Sequence, residues 1–287
     1  MHERVFTIRV FKTLRISHLP SQHSQTVRLL QITDTHLFAD PYGCLLGVNT
    51  AASFQAVVGE IQSSQVEFDA IIATGDISQD HTAESYQRFV DGIAHWSQPC
   101  FWLPGNHDYQ QEMHSILAQS TLQRCDSVLV GEHWQLVVLD SQVKGVPHGR
   151  LSDEQLSLLD IALSTNKDRH TLVLLHHHPL PAGSAWLDQH QLHNQEDFWA
   201  VVEKHNNVKG VVCGHIHQAL DTEHKGRRVM AAPSTCIQFK PDSDDFALDS
   251  TNPGWREIEL HQDGTIITHV GRLKGTEFQP DMNSTGY

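Results

Sequence analysis

Ile71-Ile-Ala-Thr-Gly75-Asp76-Ile-Ser-Gln-Asp80 is a run of buried-strand character that breaks into a Gly-Asp turn and leaves a carboxylate at its end. A carboxylate has two oxygens and is able to bridge two cations, so neighbouring strand ends are expected to supply further ligands. Asp34-Thr-His36 follows Leu29-Leu-Gln-Ile32, Asn106-His107-Asp108 follows Pro99-Cys-Phe-Trp-Leu103, His176 follows Leu172-Val-Leu-Leu175, and His215-Ile-His217 follows Val211-Val-Cys213. Five apolar, strand-like runs therefore each end in groups that bind metals.

Outward from that stretch the chain alternates. Strands are expected at 28–32, 68–73, 100–103, 134–139, 172–175 and 208–213, and helical spacing of apolar residues marks 50–63, 83–96, 110–118 and 196–205. Ser152-Asp-Glu-Gln155 has the form of a capping box opening a further helix to about residue 163. Strands separated by helices imply parallel pairing. Strand periods return at 228–232, 236–239, 256–260 and 265–270, with Asp263-Gly264 as a hairpin signal, so these C-terminal runs are expected to form a second, largely antiparallel sheet. No linker composition divides the chain. The expected organisation is a flexible N-terminal extension over 1–26 and a single catalytic domain over 27–287. The extension mixes basic and apolar residues, which suits a frayed segment or an edge strand better than a membrane-seeking one.

Composition narrows the function classes. A chain of 287 residues with 39% hydrophobic content is long enough to bury a sizeable core. Its formal net charge of −14 opposes general affinity for nucleic acid or anionic membranes, both of which need a basic footprint. The 22 histidines favour metal chemistry without locating it. The five cysteines are scattered, with no C-x-x-C, so neither a disulfide framework nor a zinc knuckle is indicated. With no long apolar run and no secretory-type apolar core at the N-terminus, the chain reads as cytoplasmic.

Spacing locates the chemistry. In Asp34-x-His36 and His215-x-His217 the paired residues leave the same face of an extended chain and are able to converge on one point. Glycine ahead of Asp76 and Asn106 permits a tight turn and a close backbone approach. Each motif alone is weak, since surface histidines are usually solvated and Asn is a common turn residue. Their conjunction, in this order, is not expected by chance. The acidic stretch Pro241-Asp-Ser-Asp-Asp245 is read as a solvated loop, and no G-x-S-x-G or P-loop is present.

This ordered set resembles the calcineurin-like metallophosphoesterases over about residues 28 to 240. Ile32-Thr-Asp-Thr-His-Leu37, Leu46-Gly-Val-Asn-Thr50, Leu103-Pro-Gly-Asn-His-Asp108, Leu139-Asp-Ser-Gln142, His176-His-His-Pro179 and Cys213-Gly-His-Ile-His-Gln218 are similar to the bacterial class III 3′,5′-cyclic-AMP phosphodiesterases. Ala232-Pro-Ser-Thr-Cys-Ile-Gln-Phe239 and Pro253-Gly-Trp-Arg256 extend the likeness. The resemblance implies a four-layer α/β/β/α sandwich, with two mixed sheets flanked by helices. It implies one metal held by Asp34, His36 and His217, another by Asn106, His176 and His215, and Asp76 bridging them. His176 is chosen over His177 and His178 as the first residue beyond its strand; the other two are expected to bond nearby backbone or line the mouth.

The implied activity is hydrolysis of 3′,5′-cyclic AMP to 5′-AMP, with a hydroxide shared by two divalent ions as nucleophile. His107 is the implied general acid, and His36, Asp76, Asn106, His107 and His217 the substrate contacts. Fe2+, Mn2+ and Zn2+ all suit carboxylate, amide and imidazole donors. Asp108 would either orient His107 or cap a turn. Gln79 stands where purple acid phosphatases carry a tyrosine, and the arginine of Ser/Thr protein phosphatases is absent, which argues against phosphoprotein substrates. The base would be read by 80–81, 180–193 or 239–255, with Trp186 either stacking on adenine or buried beneath a loop. The alternatives are a broader phosphodiesterase acting on 2′,3′-cyclic nucleotides, nucleic-acid ends or nucleotide-sugar diphosphates, and an inactive binding scaffold of the same fold. The expected partner is the cyclic nucleotide, with no nucleic acid and no membrane, the chain being a monomer or weak homodimer.

Overall fold

A computed structural model describes residues 14–20, 26–118 and 122–286. The chain begins with β1 (Ile16–Leu19) and β2 (Thr26–Ile32), then a ribbon of β3 (Cys44–Leu45) and β4 (Val48–Asn49) that leads into α1 (Thr50–Ser63). Two β-α units follow, β5 (Ala70–Ala73) with α2 (Ala83–Ile93) and β6 (Cys100–Trp102) with α3 (Gln110–Leu117). After β7 (Leu122–Gln123), β8 (Ser127–Val130) and β9 (Trp134–Val138) come α4 (Asp153–Thr165), β10 (His170–Leu174), α5 (Ala185–Asp188), α6 (Gln195–Val202) and β11 (Val208–Cys213). The last strands are β12 (Asp221–His224), β13 (Arg227–Ala231), the short pair β14 (Gln238–Phe239) and β15 (Leu248–Asp249), and a hairpin of β16 (Gly254–His261) and β17 (Ile266–Arg272).

Two mixed sheets result, in the orders β17-β16-β2-β5-β6-β7 and β1-β8-β9-β10-β11-β13-β12. The apolar strands are buried on both faces, and their alternation sorts side chains into different cores. Val27 and Leu29 of β2 join Leu136, Leu172, Val212 and Met230 between the sheets. Leu30 and Ile32 face α1 and α2 with Phe54, Val57 and Phe89. Val137, Val173 and Val211 of the second sheet face Leu159 of α4 and Phe198 of α6. Three apolar interlayers make the α/β/β/α sandwich that the resemblance implies. The ends of α1 are those expected, with Asn49 Oδ1 accepting from Ala52 N–H, and Ser152 Oγ caps α4 by accepting from Gln155 N–H.

One expectation is corrected. The C-terminal strands do not build a sheet of their own. β13 pairs parallel with β11, whereas β16 pairs antiparallel with β2, Glu257 opposite Leu30, and so extends the first sheet. Hydrophobic period shows that a strand exists but not which distant edge it joins. Buried Arg256 of β16 ties the sheets together, donating to the carbonyls of Ala231 and Leu220. The extension over 1–26 shows one of the two forms read for it. Within it, Ile16–Leu19 is an edge strand parallel to β8, fixed because Arg15 donates from backbone and guanidinium to Asp126 and Leu19 enters the inter-sheet core. Residues 1–13 and 21–25 lie outside the described residues.

The parallel strands β2, β5, β6, β10 and β11 bring their carboxyl ends to one rim. Ligand sites of open α/β sheets sit outside such ends.

Candidate metal centre

Three of the strands that reach the rim, β2, β5 and β11, run into loops that turn left-handed. Asp34, His36, Asp76, His215 and His217 have φ of 53°, 44°, 50°, 69° and 50°, a region non-glycine residues seldom adopt. Asp34 and His36 therefore do not share a face of an extended chain, as their spacing suggested. Their N–H groups bond to the carbonyls of Gly75 and Asp76 at 3.0 Å each, so the two loops lie side by side and the turns, not a pleat, aim the side chains. Gly75 and Gly105 are needed for that approach. A Cβ on Gly75 would come within 2.6 Å of Gly105 N and of His176 Nδ1, and one on Gly105 would collide with the Asp76 carboxylate.

Hydrogen bonds to acceptor-only atoms fix the imidazole tautomers. Nδ1 of His36 donates to Gln79 Oε1 at 2.7 Å, Nδ1 of His176 to Thr74 O at 2.7 Å, and Nδ1 of His217 to Ile237 O at 3.0 Å. Each ring then presents its Nε2 lone pair inward. The Nε2 atoms of His36 and His217 face each other at 3.1 Å, with Asp34 Oδ1 3.4 Å from His217 Nε2. On the other side, His176 Nε2 is 3.1 Å from Asn106 Oδ1 and 3.2 Å from Asp76 Oδ2. Lone pairs so arranged repel unless a positive charge lies among them. Neighbouring ligands of a cation with bonds of about 2.1 Å are themselves separated by roughly 3.0–3.4 Å, the spacing found here. Asp76 Oδ2 also lies 4.0 Å from His36 Nε2, between the two groups.

Four overlapping clusters of donors each gather within 4.8 Å: His36, Asp76 and His107; Asp34, His36 and His217; Asp34, Asp76 and His176; and His176, His177 and His215. His215 belongs to the last, its backbone N–H held by both oxygens of Asp34 and its Nε2 buried with no partner. Asn106 is half-buried; the other six donors named from sequence are buried. The residues present fit a divalent metal centre with oxygen and nitrogen donors.

The electrostatics agree. Burial pushes His36 down to about 3 despite the Asp76 carboxylate, so its ring is neutral. Burial works against the charges on Asp34 and Asp76, yet His217 holds Asp34 below the usual carboxylate range and His176 and His107 hold Asp76 well below it. His176 is opposite in sign. Burial disfavours its charge, but Asp76 raises it to about 9, so without a cation its Nε2 carries a proton that a bound metal ion would displace.

His107 sits at the open side, half-buried, its ring 5.0 Å edge-on from that of His36 and its N–H donating to Asp76 Oδ1 at 2.8 Å. Asp108 caps the turn, the second of its two readings. Its carboxylate accepts from Gly105, Ile77 and Ser78 N–H groups and ties the two ligand loops together; burial and Asp76 raise it to about 7. His177 and His178 are both fully buried, not at the mouth; the His177 ring bonds Ser141 Oγ and, as expected, nearby backbone at Pro147, and the His178 ring bonds Asp188. Trp186 is half-buried against Phe239 and Phe246, and 241–245 is a mostly exposed loop.

Supports of the cage that sequence reasoning did not assign are Gln79, Gln142, Ser234 and Phe239. Gln142 Nε2 donates to the carbonyls of Gly105 and Asp108 at 2.6 Å, so a strand end of the second sheet grips a loop of the first. Ser234 Oγ donates to Asp34 O, and Phe239 stacks on His217 with centroids 4.4 Å apart. A signal was available: Gln79 follows the Asp76 motif, and Gln142, Ser234 and Phe239 lie in stretches that carry the resemblance.

Fold and cage together define a metal-dependent hydrolase of the α/β/β/α class. Residues 27–219 match the family described as Calcineurin-like phosphoesterase. A protein of Vibrio vulnificus (strain CMCP6) named 3′,5′-cyclic adenosine monophosphate phosphodiesterase CpdA is 59% identical over 262 residues, covering 91% of this chain and 96% of the relative. Its namesake from Escherichia coli (strain K12) is 54% identical, covering 94% and 98%. Among solved structures, a dimetal phosphatase from Danio rerio shares the fold with a TM-score of 0.61 at 14% identity, covering 84% of this chain and 98% of that one. A purple acid phosphatase from yellow lupin gives 0.59 at 12%, covering 87% and 52%. This chain belongs to the calcineurin-like phosphoesterase family.

Proposed function

We propose that this protein hydrolyses 3′,5′-cyclic AMP to 5′-AMP at a binuclear divalent metal centre. The observation that carries the reading is the convergence on Asp76 of inward lone pairs from both sheets, in a chain 59% identical to a relative named as a cyclic-AMP phosphodiesterase. Asp34, His36 and His217 would hold one ion and Asn106, His176 and His215 the other, with Asp76 shared. When bound, such a pair supplies Lewis-acid charge for the phosphate oxygens and an activated water as nucleophile.

The chain's own residues do the rest. Formation of 5′-AMP requires the P–O3′ bond to break, and an alkoxide departs badly unless protonated. His107, tethered to Asp76 through its backbone and facing His36, is placed to give O3′ its proton. Asp108 holds the loop of His107 against that of Asp76, which keeps the acid in register with the cage. The substrate contacts are His36, Asp76, Asn106, His107 and His217, which ring the open side.

Carboxylate, amide and imidazole donors suit Fe2+, Mn2+ and Zn2+ alike. Residues 27–287 act as one catalytic domain, a reading supported by the core that both sheets share. No helix among the described residues is long and apolar enough to cross a membrane. With a net charge of −14, that supports a cytoplasmic enzyme of a small anionic substrate, binding neither nucleic acid nor membranes, as a monomer or weak homodimer.

The test is product analysis with cyclic AMP, using protein loaded with Fe2+ or Mn2+ and a chelated control. 5′-AMP should form only with metal. Metal-loaded protein that leaves cyclic AMP intact, or prefers 2′,3′-cyclic AMP, contradicts the reading.

A further inference from the structure

Where the ligand loops reach solvent, three side chains stand that the hydrolytic reading does not use. Tyr109 follows His107 by two residues and is 38% exposed. Its position is nonetheless fixed, because its N–H donates at 2.7 Å to the hydroxyl of fully buried Tyr86. Across from it is His81, exposed, with ring centroids 6.3 Å apart and planes inclined by 43°. The third is Lys144, from the loop after β9, whose Nζ lies 5.9 Å from the Tyr109 centroid.

His81 is held in an unusual way. Its φ is 66°, and its N–H donates to Ser78 Oγ at 2.9 Å just before Asp80 and Thr82 start α2. The left-handed residue belongs to the turn that leads from Ser78 into α2 and leaves its imidazole exposed. What the conformation does is turn the imidazole toward Tyr109.

We propose that Tyr109 and His81 clamp the purine base of the substrate between their rings, with Lys144 donating to the ring nitrogens. This rests on the phosphodiesterase reading and names how that site selects its nucleotide. Stacked planes lie about 3.4 Å apart, so a base between two rings needs roughly 6.8 Å. The rings stand about half an ångström short of that and are already splayed like jaws, a gap that a small rotation of exposed His81 opens. The reach is right as well. Two residues span at most about 7 Å between Cα atoms, so Tyr109 and the acid at His107 border the same substrate.

The test compares metal-loaded protein on two substrates, cyclic AMP and the 3′,5′-cyclic phosphate of methyl β-D-riboside, which lacks a base. Tyr109→Ala is expected to lower the preference for cyclic AMP, as the ratio of kcat/KM values, by roughly tenfold or more, chiefly through KM, with Tyr109→Phe restoring it. His81→Gly separates function from folding. Glycine relieves the left-handed backbone, so the Tm should hold or rise while the preference falls. Variants that lose both substrates in equal proportion, or neither, overturn the clamp alone; wild-type protein that cleaves neither substrate overturns the phosphodiesterase reading and the clamp with it.

Discussion

The two halves of the cage are built differently. In the half around Asp34, His36 and His217, each donor is held from behind: Asp34 by Thr33 Oγ1 and the His215 N–H, His36 by Gln79, and His217 by Ile237 O and the face of Phe239. In the half around Asn106, His176 and His215, only His176 has such a brace, at Thr74 O, while His215 Nε2 is buried without a partner and Asn106 is half-exposed. The first half owns a carboxylate and the second only neutral donors apart from shared Asp76. Preorganisation and charge both favour the first half, so the two ions should differ in how firmly they are held.

The comparison breaks most completely at the residue both halves share. Asp76→Ala should empty both halves and lower turnover of cyclic AMP by roughly a thousandfold or more, read by metal analysis and product formation. A variant that keeps one ion firmly would mean that the halves are independent. Next comes the order of release. A chelator titration followed by native mass spectrometry should pass through a one-metal species, and His217→Ala, which strikes the braced half, should suppress that species more than His176→Ala. Equal, concerted loss would erase the distinction.

Sequence reading reached much of this site because polar donors at the ends of apolar runs are visible in a one-dimensional pattern. Asp34, Asp76, Asn106, His176 and His215 all stand just past such runs. It did not reach the left-handed turns, since non-glycine residues give no sign of a positive φ, and so it explained the aim of Asp34 and His36 by the wrong geometry. Nor did it reach the pairing of β16 with β2 or the grip of Gln142 on the Gly105 loop. Both are contacts between segments far apart in the chain, which local propensity does not encode. The choice of His176 rested on strand-end position; its Nδ1 bonds Thr74 O and its Nε2 lies 3.2 Å from Asp76, while neighbouring His177 also falls within the cluster of His176 and His215.

Smaller effects sharpen the contrast. Gln79→Ala removes the brace of His36 and should weaken metal affinity of the first half by roughly ten- to a hundredfold, seen by competition with a chelating dye. Binding at the second half should change little.

The smallest effect lies at the far edge of the second sheet. Arg15 holds Asp126 below its ordinary value of 3.8 through hydrogen bonds and charge, against the opposing effect of burial. A carboxyl lowered in the folded state adds stability above its unfolded value and loses it as the pH falls through its folded value. Hydrogen exchange of β1 should therefore quicken below the ordinary carboxylate range. It should do so without favouring release from either half of the cage; selective loss from the His176 half would show that the sheet edge supports it.

The most direct measurement is anomalous diffraction from crystals loaded with Mn2+. Two peaks about 3.5 Å apart are expected. One should lie against Asp34, His36 and His217 and the other against Asn106, His176 and His215, with an Asp76 oxygen touching both. A single peak, or a second one that leaves Asp76 unshared, would contradict a cage built by two sheets around one carboxylate.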